Sequence, residues 1–459
     1  MKDILDVDSI PSEWEKLAFP PSVDNYSRMI HRSQLHRLVY YSHTVCLPLL
    51  HQMQLVEKHI IKGQHKFWQA CDYLALQSKH LYNAANYIQR QYFFETSKYY
   101  NSIDIYHQTS NLEAYRYLPT KISKQIVRRV AQAWKSWFAA RLDWFKHPEK
   151  YLGKPKMPGY KHKERGRNVV IYPKDAISKP ALNKCLIKLS GTSISLPTKA
   201  KNVDQVRIVP KLNHYVIEVV YTVNEPVKST GKYVAGVDIG LNNLMAITSN
   251  HPGIRPLLIN GRPLKSINQF FNKRVAASQS AEAWKQIKEL NTKRDRRIDN
   301  YLHTVSRRVI DWCLVSDIGQ LIIGKNDGWK QNINIGKKKN QEFTLIPHAK
   351  LIHLLTYKAQ LHGIQVITTE ESYTSKASAL DGDELPVYKA KSEVKPVFSG
   401  KRVKRGLYKT STGRIINADT NGSINIARKV IPNAFEGIEA LPFVPVVLGL
   451  WTKITNVFV

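Results

Sequence analysis

The first half of the chain changes from helical to strand-like periodicity near residue 151. Apolar residues recur at helical spacing over residues 67–95, and again in a stretch that begins near Ser123. Short runs of alternating apolar and polar residues follow as far as about residue 224, and Pro, Gly and Asn bound them. This pattern predicts two long helices followed by an antiparallel barrel or sheet.

The second half alternates between strand-like and helix-like runs. After a predicted linker at residues 228–232, an apolar strand ends at Asp238, and a second apolar strand follows at once. Helices are predicted within 264–316 and near 347–362, and a final helix after Asp419. Strands and helices in alternation are typical of a mixed α/β domain.

The charge of the chain indicates the kind of molecule that the protein binds. Among 459 residues, Lys and Arg number 69 and Asp and Glu 36, so the formal charge is +33, while 43% of the residues are hydrophobic. That apolar content supports buried cores and excludes a disordered basic tail. A folded polycation is typical of proteins that neutralise the phosphates of nucleic acid.

Several classes of protein are disfavoured by the same composition. The four cysteines form no C-x-x-C pair, so they predict neither a disulfide framework nor a zinc site. The first residues are acidic and lack the apolar core of a signal peptide. The most apolar stretch, residues 441–451, contains Pro445 and is too short for a spanning helix. We therefore expect a cytoplasmic protein with no membrane partner.

Carboxylates stand at the ends of predicted strands. Asp238 ends the first strand of the second half, although a turn aspartate is its ordinary alternative role. Asp419 lies where a strand meets a helix, where its alternative role is an N-cap. Glu370 and Glu371 end another strand, and such neighbouring acids are ordinarily only solvated. Converging carboxylates are what Mg²⁺ or Mn²⁺ requires in phosphodiester hydrolysis, so together these residues predict a metal-dependent nuclease centre.

Four blocks of the second half resemble TnpB, the transposon-encoded RNA-guided nuclease, and its relatives among compact type V CRISPR effectors. The blocks are, in chain order, VAGVDIGLNNLMAI, LIIGKNDGWKQNINIGKKKNQEFTLIP, EESYTSKAS and RGLYKTSTGRIINADTNGSINIARK. A weaker resemblance extends upstream through SKHLYNAANYIQRQYF and KPKMPGYKHK. It covers about residues 53–435 and leaves residues 1–52 outside.

The resemblance implies a multidomain α+β fold. It comprises a wedge-type antiparallel β-barrel with a helical recognition insert, then an RNase H-like (RuvC) α/β domain with a basic insertion. The implied segments are an N-terminal extension of open role (1–52), the first barrel strand region (53–65), the helical recognition domain (66–150), the barrel (151–228), the first part of the RuvC domain (229–374), the target-nucleic-acid-binding insertion (375–416), and the last part of the RuvC domain with the C-terminal tail (417–459).

The resemblance also implies the site. Asp238 matches the aspartate of the first RuvC motif, and Asp419 matches that of the third. Where many members carry a glutamate in the second motif, this chain has Gly324. In a rearranged subset the neighbouring strand supplies the glutamate, which here is Glu371, with Glu370 as the alternative. Adjacent strand ends lie only ~5 Å apart, so such a transfer preserves the metal position. The implied cofactor is Mg²⁺ or Mn²⁺, as two ions.

The insertion departs from the family as well. Many members place a cysteine zinc ribbon there, but residues 375–416 contain neither Cys nor His, so no zinc is expected. Basic residues stand there instead, and we favour a role in guiding the target strand over a merely solvated surface. Basic loops at 153–167 and 325–339 are expected to contact phosphates. The predicted nucleic-acid-binding residues are Lys154, Lys156, Lys161, Lys163, Lys325, Lys330, Lys337, Lys401, Arg402, Lys404 and Arg405.

These features together predict an RNA-guided DNA endonuclease. Its partners would be a guide RNA and target double-stranded DNA, with base pairing to the guide choosing the sequence. A nuclease-inactive, guide-directed DNA-binding regulator is the alternative, and Gly324 is the strongest argument for it. A DNA-strand transferase on the same fold is a third hypothesis. The sequence leaves the oligomeric state open.

Overall fold

The computed structural model describes residues 52–224, 229, 231–326, 336–388, 396–436 and 444–448. Its first half contains six strands and five α-helices within these ranges. They are, in chain order, β1 (Gln52–Lys62), α1 (Trp68–Thr96), α2 (Asp104–Thr109), α3 (Glu113–Arg116), α4 (Thr120–Lys146), β2 (Val170–Pro173), α5 (Lys179–Leu182), β3 (Leu186–Lys188), β4 (Ser195–Pro197), β5 (Val203–Pro210) and β6 (His214–Asn224).

Alternating apolar residues build an antiparallel sheet in this half, in the strand order β1-β6-β5-β2. The long helices α1 and α4 pack together and against it, and Trp134 is buried between them. Among the described residues, the strand order shows no pairing between β1 and β2, and β3 pairs with β4 in a separate two-stranded sheet. The sequence predicted a barrel or a sheet; the described strands form an open sheet.

The second half begins, within the described ranges, with four strands and four helices. They are β7 (Tyr233–Ile239), β8 (Asn243–Ser249), β9 (Leu257–Asn260), α6 (Arg262–Ser280), α7 (Trp284–Val315), β10 (Ile318–Gly324), α8 (Lys337–Leu345) and α9 (His348–Gln360), with β10 between α7 and α8. The remaining elements are β11 (Gln365–Thr369), β12 (Lys401–Lys404), β13 (Leu407–Lys409), β14 (Ile415–Asn417), α10 (Ala418–Val430) and β15 (Val446–Leu448).

A six-stranded mixed sheet organises this half, in the order β11-β10-β7-β8-β9-β15. β7, β10 and β11 run parallel, and β8 is antiparallel to β7. Because side chains alternate along a strand, Val237 and Ile323 join the core beneath α7 and α9, while Ile322 packs against α10 on the opposite face. The whole is a mixed α+β architecture.

The insertion forms its own small sheet. β12, β13 and β14 pair antiparallel in that order, and β14 leads directly into α10. In the part of the chain that the structure describes, no helix combines the length and apolarity that a membrane crossing demands.

Candidate functional site

Acidic side chains gather on the face of the six-stranded sheet that α10 covers. Val237 belongs to the opposite core, so period-two alternation turns its neighbour Asp238 toward α10. On β10, Ile323 lies opposite Val237 and likewise joins the far core. Gly324, one residue further, therefore shares the face of Asp238 at the neighbouring strand end.

Two glycines let α10 approach this face closely. A Cβ atom added at Gly236 would lie 1.9 Å from the carbonyl oxygen of Ser423 on α10, a distance that no real contact reaches. One added at Gly422 would lie 2.8 Å from Oδ2 of Asp238. The backbone of the helix therefore rests on β7, and its first turns lie beside the Asp238 carboxylate. Neither glycine stands out in the sequence, since each is significant only through its contact with a distant element.

The first turn of α10 supplies the second carboxylate. Asn417 is the N-cap, because its side chain accepts hydrogen bonds from the N–H groups of Asp419 and Thr420. The alternative role considered for Asp419, that of N-cap, is therefore wrong. Its carboxylate instead accepts a hydrogen bond from Nδ2 of Asn243 at 2.7 Å and lies 3.5 Å from Nη2 of Arg402.

Glu371 occupies the space above Gly324. A Cβ atom at Gly324 would lie 2.5 Å from Oε1 and 2.8 Å from Cγ of Glu371. The Glu371 N–H donates to Oδ1 of Asn326 at 2.9 Å, which fixes the backbone at this point. The absence of a side chain at position 324 thus makes room for a carboxylate that comes from the end of the next strand.

Glu370 points to a different partner. Its carboxylate pairs with the ammonium group of Lys429, which is almost fully buried, and accepts the N–H of Ser372 at 2.6 Å. Burial raises the pKa of Glu370, but the Lys429 and Ser372 interactions outweigh it and hold the pKa below its ordinary value. Glu370 is committed to this ion pair, whereas Glu371 interacts electrostatically with Asp238.

The site concentrates negative charge in a poorly solvated place. Burial first, and the Asp419 charge second, raise the pKa of Asp238 to about 7, while Arg402 opposes the shift. Burial, Asp238 and Glu370 together raise the pKa of Glu371 to about 8. Oε1 of Glu371 is buried without a hydrogen-bond partner. Such a set of oxygens favours either protons or a cation.

Asp238, Glu371 and Asp419 are called the acidic row below. Asp238 interacts electrostatically with Asp419 and with Glu371. Within the described ranges, no group of three or more His, Cys, Asp or Glu residues has the arrangement of a complete metal site. Asp238 is thus the residue that both of its neighbours share.

The basic hairpin of the insertion reaches this row through one residue. Arg402, on β12, contacts the Asp419 carboxylate of the site. Lys401, Lys404 and Arg405 are exposed on the same hairpin. The sequence grouped these cations as equivalent, and the structure separates Arg402 from the rest.

A second basic surface lies on the first helical unit. Residues 154–163, called the strap below, run along α1 without regular secondary structure as far as a turn that begins at Lys163. Side chains of α1 bind the backbone of the strap: Lys79 donates to the carbonyl of Lys163 at 2.6 Å, and Asn83 both donates to and accepts from the backbone of Lys161 at 2.9 and 2.8 Å. Asn86 donates to Pro158 at 3.0 Å. These hydrogen bonds hold the backbone of the strap against α1. The side chains of Lys154, Lys156, Lys161 and Lys163 are exposed.

Aromatic rings accompany the strap. The guanidinium of Arg90 lies 5.6 Å from the ring centroid of Phe94 and 5.3 Å from that of Tyr160. Both rings are about half exposed, at 52% and 49%. A guanidinium within cation–π distance of two rings, beside exposed lysines, suits contact with bases and phosphates. Sequence reasoning missed Arg90 and Tyr160, since neither stands out without the contact between helix and strap.

The third basic group falls only partly within the described chain. Lys325 follows β10, and its N–H donates to the carbonyl of Thr369 at 2.8 Å. Lys330 and the side chain of Lys337 lie outside the described residues, so their predicted contact with nucleic acid stays a prediction.

Comparison with protein families identifies two regions of this chain. A family model described as "Probable transposase" (OrfB_IS605) matches residues 214–330. A model described as "Cas12f1-like, TNB domain" matches residues 348–426. The two matched regions carry β7, β10, β11 and most of α10, and therefore every acidic residue of the candidate site.

Similar proteins point the same way. The chain is 27% identical over 223 residues, 46% of its length, to the CRISPR-associated endodeoxyribonuclease Cas12f2 of a Micrarchaeota archaeon (strain CG1_02_47_40). It is 25% identical over 220 residues, 44% of its length, to TnpB-like protein ORF457 of Acidianus two-tailed virus. The alignments cover only 40% and 43% of these two relatives.

Two solved structures also align with the chain. One is a Cas12f1-sgRNA-target DNA complex, with 14% identity, a TM-score of 0.47 and coverage of 79% of this chain and 82% of that one. The other is the mini-RNA-guided endonuclease CRISPR-Cas_phi3, with 10% identity, a TM-score of 0.41 and coverage of 86% and 94%. The family and sequence matches confirm the resemblance to TnpB that the motifs indicated.

Proposed function

We propose that this chain, which belongs to the TnpB family, is an RNA-guided DNA endonuclease that cuts target DNA at an RNase H-like (RuvC) centre. The observation that carries the proposal is the Glu371 carboxylate above Gly324, beside Asp238. The chain lacks a second-motif glutamate, and a carboxylate from the neighbouring strand fills the same space. A regulator that had lost catalysis would have no need of this replacement.

The donor set fits a divalent cation. All the groups are hard oxygens, the preferred ligands of Mg²⁺ and Mn²⁺, and Oε1 of Glu371 is a buried oxygen without a partner. Asp238, shared by both neighbours, would serve with Asp419 on one side and Glu371 on the other. Bound divalent ions would activate the attacking water and stabilise the leaving oxygen of the phosphodiester.

The residues of the chain itself position and select. Asn243 orients the Asp419 carboxylate, and Asn326 fixes the backbone of Glu371. The Lys429 ammonium holds Glu370 out of the site, so one of the two adjacent acids faces Asp238. Arg402 places a positive charge where the phosphate of a target strand would enter, and its planar fork suits phosphate oxygens.

The basic surfaces suit the proposed partners. The strap and its aromatic neighbours present exposed cations on a fixed backbone, which is appropriate for a guide RNA or its duplex with target DNA. The hairpin carries exposed cations and brings Arg402 to the acidic row, so it suits the strand that is cut. Target sequence would be chosen by pairing with the guide, together with recognition of a short adjacent motif.

A plasmid cleavage assay tests the proposal. The protein is purified with its co-bound RNA, the RNA is sequenced, and a plasmid that carries the matching target is incubated with Mg²⁺ or with EDTA. We expect cleavage with Mg²⁺ alone, and none in Asp238→Asn, which should still bind the target through the guide. Target binding without cleavage by the natural chain would favour the regulator, and joined rather than free DNA ends would favour the strand transferase.

A further inference from the structure

Two aspartates tie together the insertion that lies between Glu371 and Asp419. The Asp381 carboxylate accepts hydrogen bonds from Oγ of Ser399 at 3.0 Å, and from the N–H and Oγ of Ser411 at 2.8 and 2.7 Å. The Asp383 carboxylate accepts the N–H of Ser378 at 2.7 Å and that of Ser399 at 3.1 Å. These bonds join three stretches that are far apart along the chain.

Both ends of the basic hairpin are held in this way. Ser399 lies two residues before β12, and Ser411 lies two residues after β13. Burial raises the pKa of Asp381, but the hydrogen bonds from its serine partners outweigh burial and keep the pKa below its ordinary value. The carboxylate therefore stays ionised, and hydrogen bonds to an ionised acceptor are about twice as strong as neutral ones.

The middle of the hairpin is pinned by Tyr408. Its ring is fully buried, and its hydroxyl donates to the carbonyl of Lys376 at 2.7 Å. A Cβ atom at Gly400 would lie 2.6 Å from this ring, so the chain passes directly over it. Arg402 stands opposite Tyr408 in the register of β12 and β13, and from there its guanidinium reaches Asp419 at 3.5 Å.

We propose that Asp381 and Asp383 are positioning residues, which hold the hairpin by hydrogen bonds so that Arg402 stands at the acidic row. Residues 375–416 contain neither Cys nor His, so the segment has no ligands for a zinc ribbon. Hydrogen bonds between the carboxylates of Asp381 and Asp383 and the residues Ser378, Ser399 and Ser411 hold the hairpin instead. The inference rests on the proposed function in one respect, namely the role of Arg402 in cleavage.

Single-turnover cleavage at saturating target DNA measures this role. We expect Asp381→Ala to slow cleavage about 10- to 100-fold, because small displacements of a positioning group have effects of that size. Glu384→Ala, which removes an exposed acid beside the network, is the matched control and should cleave at the natural rate. If Asp381 acts through Arg402, the double variant Asp381→Ala/Arg402→Ala should be no slower than Arg402→Ala alone. Multiplied effects in the double variant would overturn the proposal.

Amide hydrogen exchange gives a readout that does not require nuclease activity. We expect exchange at residues 399–411 to accelerate in Asp381→Ala and, to a smaller extent, in Ser411→Ala, which keeps the N–H bond and serves if the first variant does not fold. EDTA should leave exchange there unchanged. The inference would be refuted if EDTA accelerated exchange at these residues. It would also be refuted if neither variant exchanged faster than the natural chain. If the natural chain did not cleave DNA, the proposed function would be wrong. The exchange measurement would still test whether Asp381 holds the hairpin.

Discussion

Glu370 and Glu371 are consecutive residues with opposite electrostatic environments. Lys429, 59 residues further along the chain, pairs with the first, while the second lies among like charges. The sequence could place Asp238 and Asp419 at an element boundary, because motif and periodicity mark such positions. The resemblance favoured Glu371 and kept Glu370 as the alternative, but the residues alone gave no physical reason for that choice, since it depends on a lysine that only folding brings near.

The raised pKa values of Asp238 and Glu371 predict a pH dependence of stability. A carboxyl with a raised pKa binds its proton more tightly in the folded chain, so its contribution to stability is lost as pH rises from about 4 toward 7 or 8. Asp238→Asn removes this penalty. In EDTA, the variant should gain about 1–3 kcal/mol over the natural chain at pH 8.5, and much less at pH 5.

Thermal unfolding at the two pH values measures this difference. Added Mg²⁺ should raise the Tm of the natural chain more than that of Asp238→Asn, since a ligand stabilises the state that binds it. An advantage of the variant that is the same at both pH values would show that Asp238 does not carry the predicted repulsion.

At the scale of elements, the strand pair β10 and β11 decides where the third carboxylate comes from. The lengths and types of the main helices and strands follow from periodicity, as for α1, predicted over 67–95 and observed at Trp68–Thr96. The openness of the first sheet and the ties within the insertion do not, because they depend on pairings between distant segments. The motif has no glutamate at Gly324, and in the structure Glu371 lies in the space that a side chain there would occupy.

A swap between these two strands tests that shared space. Gly324→Glu alone places two glutamates in one volume, and we expect it to impair both stability and cleavage. Glu371→Ala alone should abolish cleavage. The double variant Gly324→Glu/Glu371→Ala should recover part of the natural rate in the plasmid assay, because one carboxylate again occupies the site. A double variant no more active than Glu371→Ala would show that the two positions are not equivalent.

At the scale of the whole molecule, the excess positive charge is organised rather than diffuse. Hydrogen bonds from α1 hold the backbone of the strap, which carries exposed lysines. The hairpin brings Arg402 to the acidic row. The net charge of +33 predicted a nucleic-acid partner. The contacts that give two basic segments a definite shape could not be read from composition, because they depend on polar residues of α1 that look ordinary in the sequence.

Salt dependence of RNA binding separates the charges of the strap from its aromatic rings. Replacing its four lysines with Gln should flatten the slope of log K against log salt by up to about 0.7–0.9 per lost phosphate contact. Gln at Lys179, Lys184, Lys199 and Lys201, exposed and outside the strap, is the control of equal charge. Tyr160→Ala should weaken binding by about 1–3 kcal/mol at every salt concentration. Equal slopes for both quadruple variants would contradict a special role for the strap.

The central claim is that Glu371, not Glu370, completes the acidic row with Asp238 and Asp419. Its most direct test is the single-turnover cleavage rate of Glu371→Gln and Glu370→Gln, each loaded with guide RNA and supplied with Mg²⁺. We predict a loss of about 100-fold or more for Glu371→Gln, which corresponds to ~2.7 kcal/mol of barrier, and a rate within about tenfold of the natural chain for Glu370→Gln. Natural activity in Glu371→Gln, or the greater loss in Glu370→Gln, would contradict the account.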